Sequence, residues 1–164
     1  GLIPENNLLE ELGVKLDPRT KGAIVDDTYM SSVKGIFACG NALHVHDLVD
    51  YVSAESSQAG LSAAKYLKGL LKTNSKVTTV TNGNGIGYVV PQSYHLDNVD
   101  DVITFKFRVR KPVKNIKYSI KIDGKEIKSV RKLAVVPSEM EMLNIKRSEL
   151  IEGDNLEISV EEVL

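Results

Sequence analysis

The sequence has one cysteine, no tryptophan and no large excess of either charge. Because Cys39 has no partner within the chain, an internal disulfide framework is excluded, and a reducing cytoplasm is the expected compartment. The formal net charge of −1 gives no field that would favour nucleic acid or an acidic membrane surface. No apolar run approaches the roughly 18 residues of a membrane span, and no signal peptide is recognised. These absences predict a cytoplasmic globular chain without a membrane span or a nucleic-acid partner.

Short elements separated by turns are predicted before residue 72. Two asparagines precede LLEELGV, a short helical pattern that Gly13 is expected to end. Residues 15–27 read as a hairpin, with its turn at Asp-Pro. The apolar run GIFACG, residues 35–40, predicts a buried strand.

A long helix is predicted from about Leu48 to Leu71, where apolar and small residues recur at helical spacing. Asp47 and Asp50 are both candidate caps for its N-terminus. The central stretch SAESSQAGLSAA is rich in small side chains, so we expect another backbone to pack closely against it.

The apolar period changes to two beyond the polar stretch KTNSK, which predicts a domain boundary there. Runs such as FKFRVR and LEISVE alternate apolar with polar residues, as strands with one buried face do. Asp123-Gly124 is a strong hairpin turn signal. Roughly seven short strands are expected between residues 77 and 163, spaced as in an immunoglobulin-like β-sandwich. The predicted domains are residues 1–72 and 76–164.

Two histidines follow the apolar run in GIFACGNALHVHD. Zinc would need a third and usually a fourth ligand besides His44 and His46, and Asp47 and Asp50 are the nearest candidates. Polar side chains lining a strand-to-helix loop are the simpler interpretation, so no metal site is predicted, and a metal-binding domain remains as an alternative. Cys39 lies inside the apolar run and is expected to act as a small hydrophobe.

Two patterns in the second half have a functional and a structural interpretation. NGNGIG, residues 82–87, resembles a dinucleotide loop, but strand-like residues follow where a helix is needed, which favours a turn. The basic row over Lys106–Lys111 is either a docking patch or the solvent-facing side of a strand. The acidic row over residues 157–162 is a candidate to lie opposite it.

The order of motifs in the first 70 residues is more specific than any one of them. GLIPEN, ELGVKLD, GAIVDD, SSVKGIFACGN and AGLSAAKYL follow one another. This order resembles the closing segment of the FAD domain in the pyridine nucleotide–disulfide oxidoreductase family. In that family a strand ending in Gly-Asp leads to a helix whose N-terminus points at the flavin. Backbone N–H groups and the helix dipole there stabilise negative charge on the reduced flavin.

The resemblance implies cofactor-binding residues at the strand end and in the first helical turn. Gly40 and Asn41 are expected to contact the ribityl chain, and Asp50, Tyr51 and Val52 are expected to face the flavin ring. Asn41 stands where the family usually has Asp, so it supplies hydrogen bonds without a charge. No catalytic residue is predicted in this chain.

The resemblance also implies a larger parent enzyme. The family's Gly-x-Gly-x-x-Gly phosphate loop, nicotinamide domain and Cys-x-x-Cys pair precede this segment and are not found in the sequence. We therefore expect an α+β chain in two parts, an incomplete FAD-domain segment of short strands and a long helix followed by the all-β sandwich. The expected parent is a cytoplasmic FAD-dependent oxidoreductase that uses NAD(P)H and is completed by the rest of its own polypeptide.

A non-catalytic interaction module is the competing interpretation. On this view the β domain docks a partner subunit, such as a partner oxidoreductase, through the basic row over Lys106–Lys111. The first half would then only complete a fold.

Overall fold

A computed structural model describes residues 2–163. The chain is mixed α/β, with two sheets and few helices, and it divides into two compact units, Gly1–Asn74 and Ser75–Leu164. In the described residues the helices are α1 (Asn7–Glu11) and α2 (Val49–Leu67), with turns of 3₁₀ helix at Gly40–Ala42, Leu96–Asn98 and Arg147–Glu149. The strands are β1 (Val77–Asn82), β2 (Ile86–Val90), β3 (Ser93–His95), β4 (Val102–Val109), β5 (Val113–Ile122), β6 (Lys125–Val135), β7 (Glu141–Lys146) and β8 (Asn155–Glu162).

The first unit combines the two α-helices with turns and isolated antiparallel bridges. Helix α1 ends as predicted, because Gly13 takes a φ of +76° that allows the chain to leave the helix. The predicted hairpin is also present, with a bridge between Leu16 and Ala23. Its turn is closed by the Asp17 N–H, which donates to the Gly22 carbonyl at 2.8 Å.

The strand predicted over residues 35–40 is wrong. Phe37 forms one isolated antiparallel bridge to Met30, and the Ala38 N–H donates to the Tyr29 carbonyl at 3.0 Å. A strand needs a neighbour along its whole length. The part of the chain that the structure describes gives this run a single bridge, so it is extended without becoming a strand.

Helix α2 confirms the predicted long helix, with a shorter C-terminal end. It begins at Val49 and ends at Leu67, after which Gly69 takes a φ of +69°. The predicted caps are wrong, because Leu48 occupies the N-cap position and makes no side-chain capping bond. The Tyr51 N–H donates to the Leu48 carbonyl at 3.2 Å, whereas no side chain caps the first N–H groups of the helix.

Most of the surface of α2 is exposed. Glu55 and Ala59 are its buried residues. The expected close packing around its small residues is absent at Gly60, where an added Cβ would meet nothing within 4 Å.

The second unit holds all eight strands in two sheets. The five-stranded sheet has the order β3-β1-β8-β5-β6, and the three-stranded sheet has the order β2-β4-β7. All pairings are antiparallel except the parallel pair β1–β8. Residues from both sheets join one hydrophobic cluster, so the two sheets share a core. The largest fully buried side chains of this core are Tyr94, Tyr118, Phe105, Phe107, Ile86, Ile116, Ile120, Ile122, Ile145, Leu156 and Ile158.

Local turn chemistry determines two hairpins of this unit. Asp123 and Gly124 have φ values of +47° and +82° and join β5 to β6, as the sequence predicts. NGNGIG forms the turn between β1 and β2, where Gly85 has a φ of +75°. Because a strand follows this turn, the dinucleotide-loop interpretation is excluded.

Candidate functional site

Gly40 and Asn41 lie at the turn that leads towards α2. Gly40 is buried with a φ of +65°, and an added Cβ would lie 3.2 Å from Val52 Cγ1. Only glycine fits this turn without strain. Asn41 is exposed, and its Oδ1 accepts a hydrogen bond from the His46 N–H at 3.1 Å. The Asn41 side chain thus closes the loop that carries both histidines.

The carboxylate of Glu55, on α2, lies at the centre of a buried cluster with His44 and His46. Its Oε1 accepts a hydrogen bond from the Gly40 N–H at 2.7 Å and lies 3.1 Å from His46 Nε2. Its Oε2 lies 3.0 Å from His44 Nε2. The three side chains are at most 1% exposed. One carboxylate thus connects the helix to the Gly40 turn and to the loop that follows it.

The expectation that both histidines line a polar loop is wrong. Their rings are buried side by side, with centroids 4.3 Å apart. Nδ1 of His46 is buried and has no hydrogen-bond partner. One ring nitrogen from each histidine and one Glu55 oxygen lie within 4.8 Å of one another. The third group is therefore Glu55, whereas Asp47 and Asp50 lie outside the cluster.

The phenol of Tyr29 interacts electrostatically with the Glu55 carboxylate. Burial raises the pKa of its phenol above the ordinary value, and the nearby charges of Glu55 and Cys39 act in the same direction. The phenol therefore stays protonated at neutral pH. Cys39 is half-buried with a free thiol, so it is more accessible than the predicted core hydrophobe.

Asp50, Tyr51 and Val52 all lie in the first turn of α2. Asp50 is exposed, while Tyr51 and Val52 are half-buried. Val52 is close to Gly40, so the structure brings two of the predicted cofactor-binding positions together.

Glu55 is not among the ligands predicted from the sequence, because the prediction considers only the acidic residues nearest to the histidines. It lies nine residues beyond His46, and only the direction of the helix places it against them. One sequence signal was available. Glu55 falls between Val52 and Ala59 at helical spacing, so it is an acidic residue within the apolar stripe of α2.

Side chains of the basic row over Lys106–Lys111 are buried or form hydrogen bonds within their own unit. Lys106 is 7% exposed, so its predicted position on a wet face is wrong. Arg108 donates to Tyr88 Oη and to the carbonyls of Pro137 and Ser138.

The acidic row over residues 157–162 does not lie opposite the basic row. Its strand β8 pairs with β5 and β1, whereas β4 belongs to the other sheet. Glu161 Oε2 instead forms an ion pair with Lys117 Nζ at 3.0 Å.

Comparison with known proteins gives no match. No family model, curated protein or solved structure matches the chain, so these comparisons identify no family. None of the helices in the described part of the chain combines the length and the apolar character that crossing a membrane requires.

Proposed function

We propose that residues 1–72 complete the flavin-binding domain of a cytoplasmic FAD-dependent oxidoreductase that also uses NAD(P)H. Residues 76–164 are, in this proposal, an appended immunoglobulin-like sandwich. When bound, FAD supplies the hydride-accepting chemistry that the side chains of this segment lack. The chain's own residues position the cofactor and adjust the electrostatics around it.

The uncapped start of α2 is the observation that carries the proposal. A helix N-terminus presents N–H groups without intrahelical partners and a partial positive charge. Leu48 at the N-cap offers no side-chain acceptor, and Leu48 and Val49 are exposed. The end of a 19-residue helix is thus open to an external electron-rich group, as the resemblance to the FAD domain implies.

The first unit has exposed apolar side chains that further polypeptide of the proposed parent enzyme would cover. The first unit exposes large apolar residues on both of its α-helices and along its first segment. A polypeptide packed against this unit would bury them. They are Leu2, Ile3, Leu8, Leu12, Leu48, Val49, Leu61, Leu67 and Leu70.

Gly40 and Asn41 have complementary parts in this proposal. Gly40 is buried and its N–H donates to Glu55 Oε1 at 2.7 Å, so its part is to shape the turn that carries Asn41. Asn41 is exposed, and its Nδ2 is a donor that its bond to the His46 N–H does not use. Asn41 therefore fits contact with a hydroxyl-bearing chain such as the ribityl group.

The test is to express the complete open reading frame that encodes this chain and to measure flavin in the purified product. The expected result is near-stoichiometric FAD, with a Gly-x-Gly-x-x-Gly segment after a strand upstream of Gly1. Asn41→Ala is expected to weaken FAD binding about fivefold, the equivalent of about 1 kcal/mol for one hydrogen bond. Gln58→Ala, at an exposed position in α2, is the matched control.

Two results would overturn the proposal. One is a complete product that contains no flavin and no phosphate loop. The other is tight, stoichiometric FAD binding by the 164-residue chain alone, because this chain lacks the expected phosphate loop. The interaction module is not proposed, since the residues of its docking row, Lys106 and Arg108 above all, are engaged within the unit.

A further inference from the structure

We propose that His44, His46 and Glu55 bind one Zn²⁺ ion. The side chains come from the loop before α2 and from the second turn of that helix. The proposal rests on this cluster alone and does not depend on flavin binding.

The chemistry of the donor set is the first argument for a metal. Two imidazoles and one carboxylate are the protein ligands of many zinc sites, and zinc bonds nitrogen and oxygen at about 2.0–2.2 Å. Two ligands of a tetrahedral ion are then roughly 3.4 Å apart. The observed Nε2–Oε separations of 3.0 and 3.1 Å, each to a different Glu55 oxygen, are within about 0.4 Å of this spacing. The three donor atoms lie within 4.8 Å of one another, so the widest pair has to close by up to about 1.4 Å to bind zinc.

The buried charge is the second argument. A carboxylate with no side-chain exposure needs a positive group nearby, because a lone buried charge is strongly disfavoured. Each imidazole supplies a hydrogen bond, and it supplies a positive charge only when it is protonated. A divalent cation bonded to all three side chains compensates the carboxylate of Glu55 and leaves both imidazoles neutral.

Burial assigns the site a structural role. The three protein ligands leave the fourth position of a tetrahedral ion to a water molecule. The side chains of His44 and Glu55 are at most 1% exposed, so this position is closed to a substrate. A bound ion would fix the loop before α2 against the helix and so set where the helix begins.

The test uses the 164-residue chain, purified without a polyhistidine tag. The protein is treated with chelator, titrated with Zn²⁺ against a competing chelator dye, and analysed for bound metal. The expected result is one equivalent of Zn²⁺ with sub-micromolar affinity, and visible d–d absorption of tetrahedral Co²⁺ when cobalt replaces zinc. Glu55→Gln, which keeps the side-chain volume, is expected to weaken zinc binding at least tenfold.

His95→Asn is the matched control, because it removes a histidine outside the cluster. This variant is expected to keep the full equivalent of zinc. Substoichiometric zinc in folded wild-type protein would overturn the proposal, as would equal affinity in the Glu55→Gln variant. Stoichiometric binding of another metal with no affinity for zinc would overturn the assignment of Zn²⁺.

Discussion

Glu55→Ala tests whether one buried carboxylate stabilises the first unit. The substitution removes the acceptor of the Gly40 N–H and the partner of one nitrogen in each of His44 and His46. Each buried polar group left without its partner costs about 1–3 kcal/mol, and three groups lose a partner here, so we expect a loss of at least about 3 kcal/mol. A domain is typically stable by about 5–15 kcal/mol, so the variant is expected to lose much of the stability of this unit.

Two further substitutions separate the carboxylate from the helix that carries it. Glu55→Gln keeps an oxygen for the Gly40 N–H but presents an amide group to one histidine, so we expect a smaller loss of about 1–3 kcal/mol. Gln58→Ala changes an exposed residue of the same helix. This substitution is expected to change the free energy of unfolding by no more than about 0.5 kcal/mol.

Peptide-level hydrogen exchange, measured in excess chelator, provides the assay and removes any contribution of bound metal. A loss of about 3 kcal/mol corresponds to a more than hundredfold faster exchange of amides that open with the unit. Peptides from strands β1 to β8 are the internal reference and are expected to keep their wild-type exchange. Wild-type protection of residues 40–59 in Glu55→Ala would refute the reasoning.

Two other predictions concern backbone space and pH. Gly22→Ala is expected to unfold the first unit, since an added Cβ would lie 1.7 Å from the Leu43 carbonyl oxygen. Gly60→Ala has open space and is expected to stabilise the same unit by about 0.5–1 kcal/mol; thermal melts followed by circular dichroism compare the two. In the second unit, the hydrogen bond from Lys117 lowers the pKa of Glu161 below its ordinary 4.5, so this stabilisation is present above pH 4.5 and is lost as the pH falls through the lowered value. Urea unfolding at a series of pH values should show that the Glu161→Gln variant loses less free energy of unfolding at acid pH than the wild type. Equal pH dependence in the two proteins would contradict this role of the Lys117–Glu161 pair.

Alternation and turn chemistry made the second unit largely predictable, because both act locally. A period of two identified the strands, and Asp123-Gly124 marked the hairpin between β5 and β6. The alternation of apolar and polar residues predicts an exposed Lys106, but this residue is buried. It lies on the central strand of a three-stranded sheet, opposite Val90 and Met142. Neighbours on both sides cover its side chain, and a single strand's sequence does not contain them.

The first unit was less predictable because its key contacts join residues far apart in sequence. The run over residues 35–40 has the composition of a buried strand, but neighbouring strands determine whether one forms. Glu55 contacts Gly40 across 15 residues and His44 across 11. Local spacing correctly placed the helix, but it could not show that the helix turns an acidic residue towards two histidines.

The same cluster limits how this unit can contact the flavin that we propose. The Gly40 N–H donates to Glu55, so this amide is not available to a ribityl hydroxyl while the cluster is intact. Asn41 holds the His46 N–H through Oδ1, which leaves its Nδ2 as the donor that can point outward. An aspartate at this position could hold the loop in the same way, but its second oxygen could only accept. An amide is therefore the side chain that both closes this loop and donates to a ligand, which gives a physical reason for Asn41 where the resembling family usually has Asp.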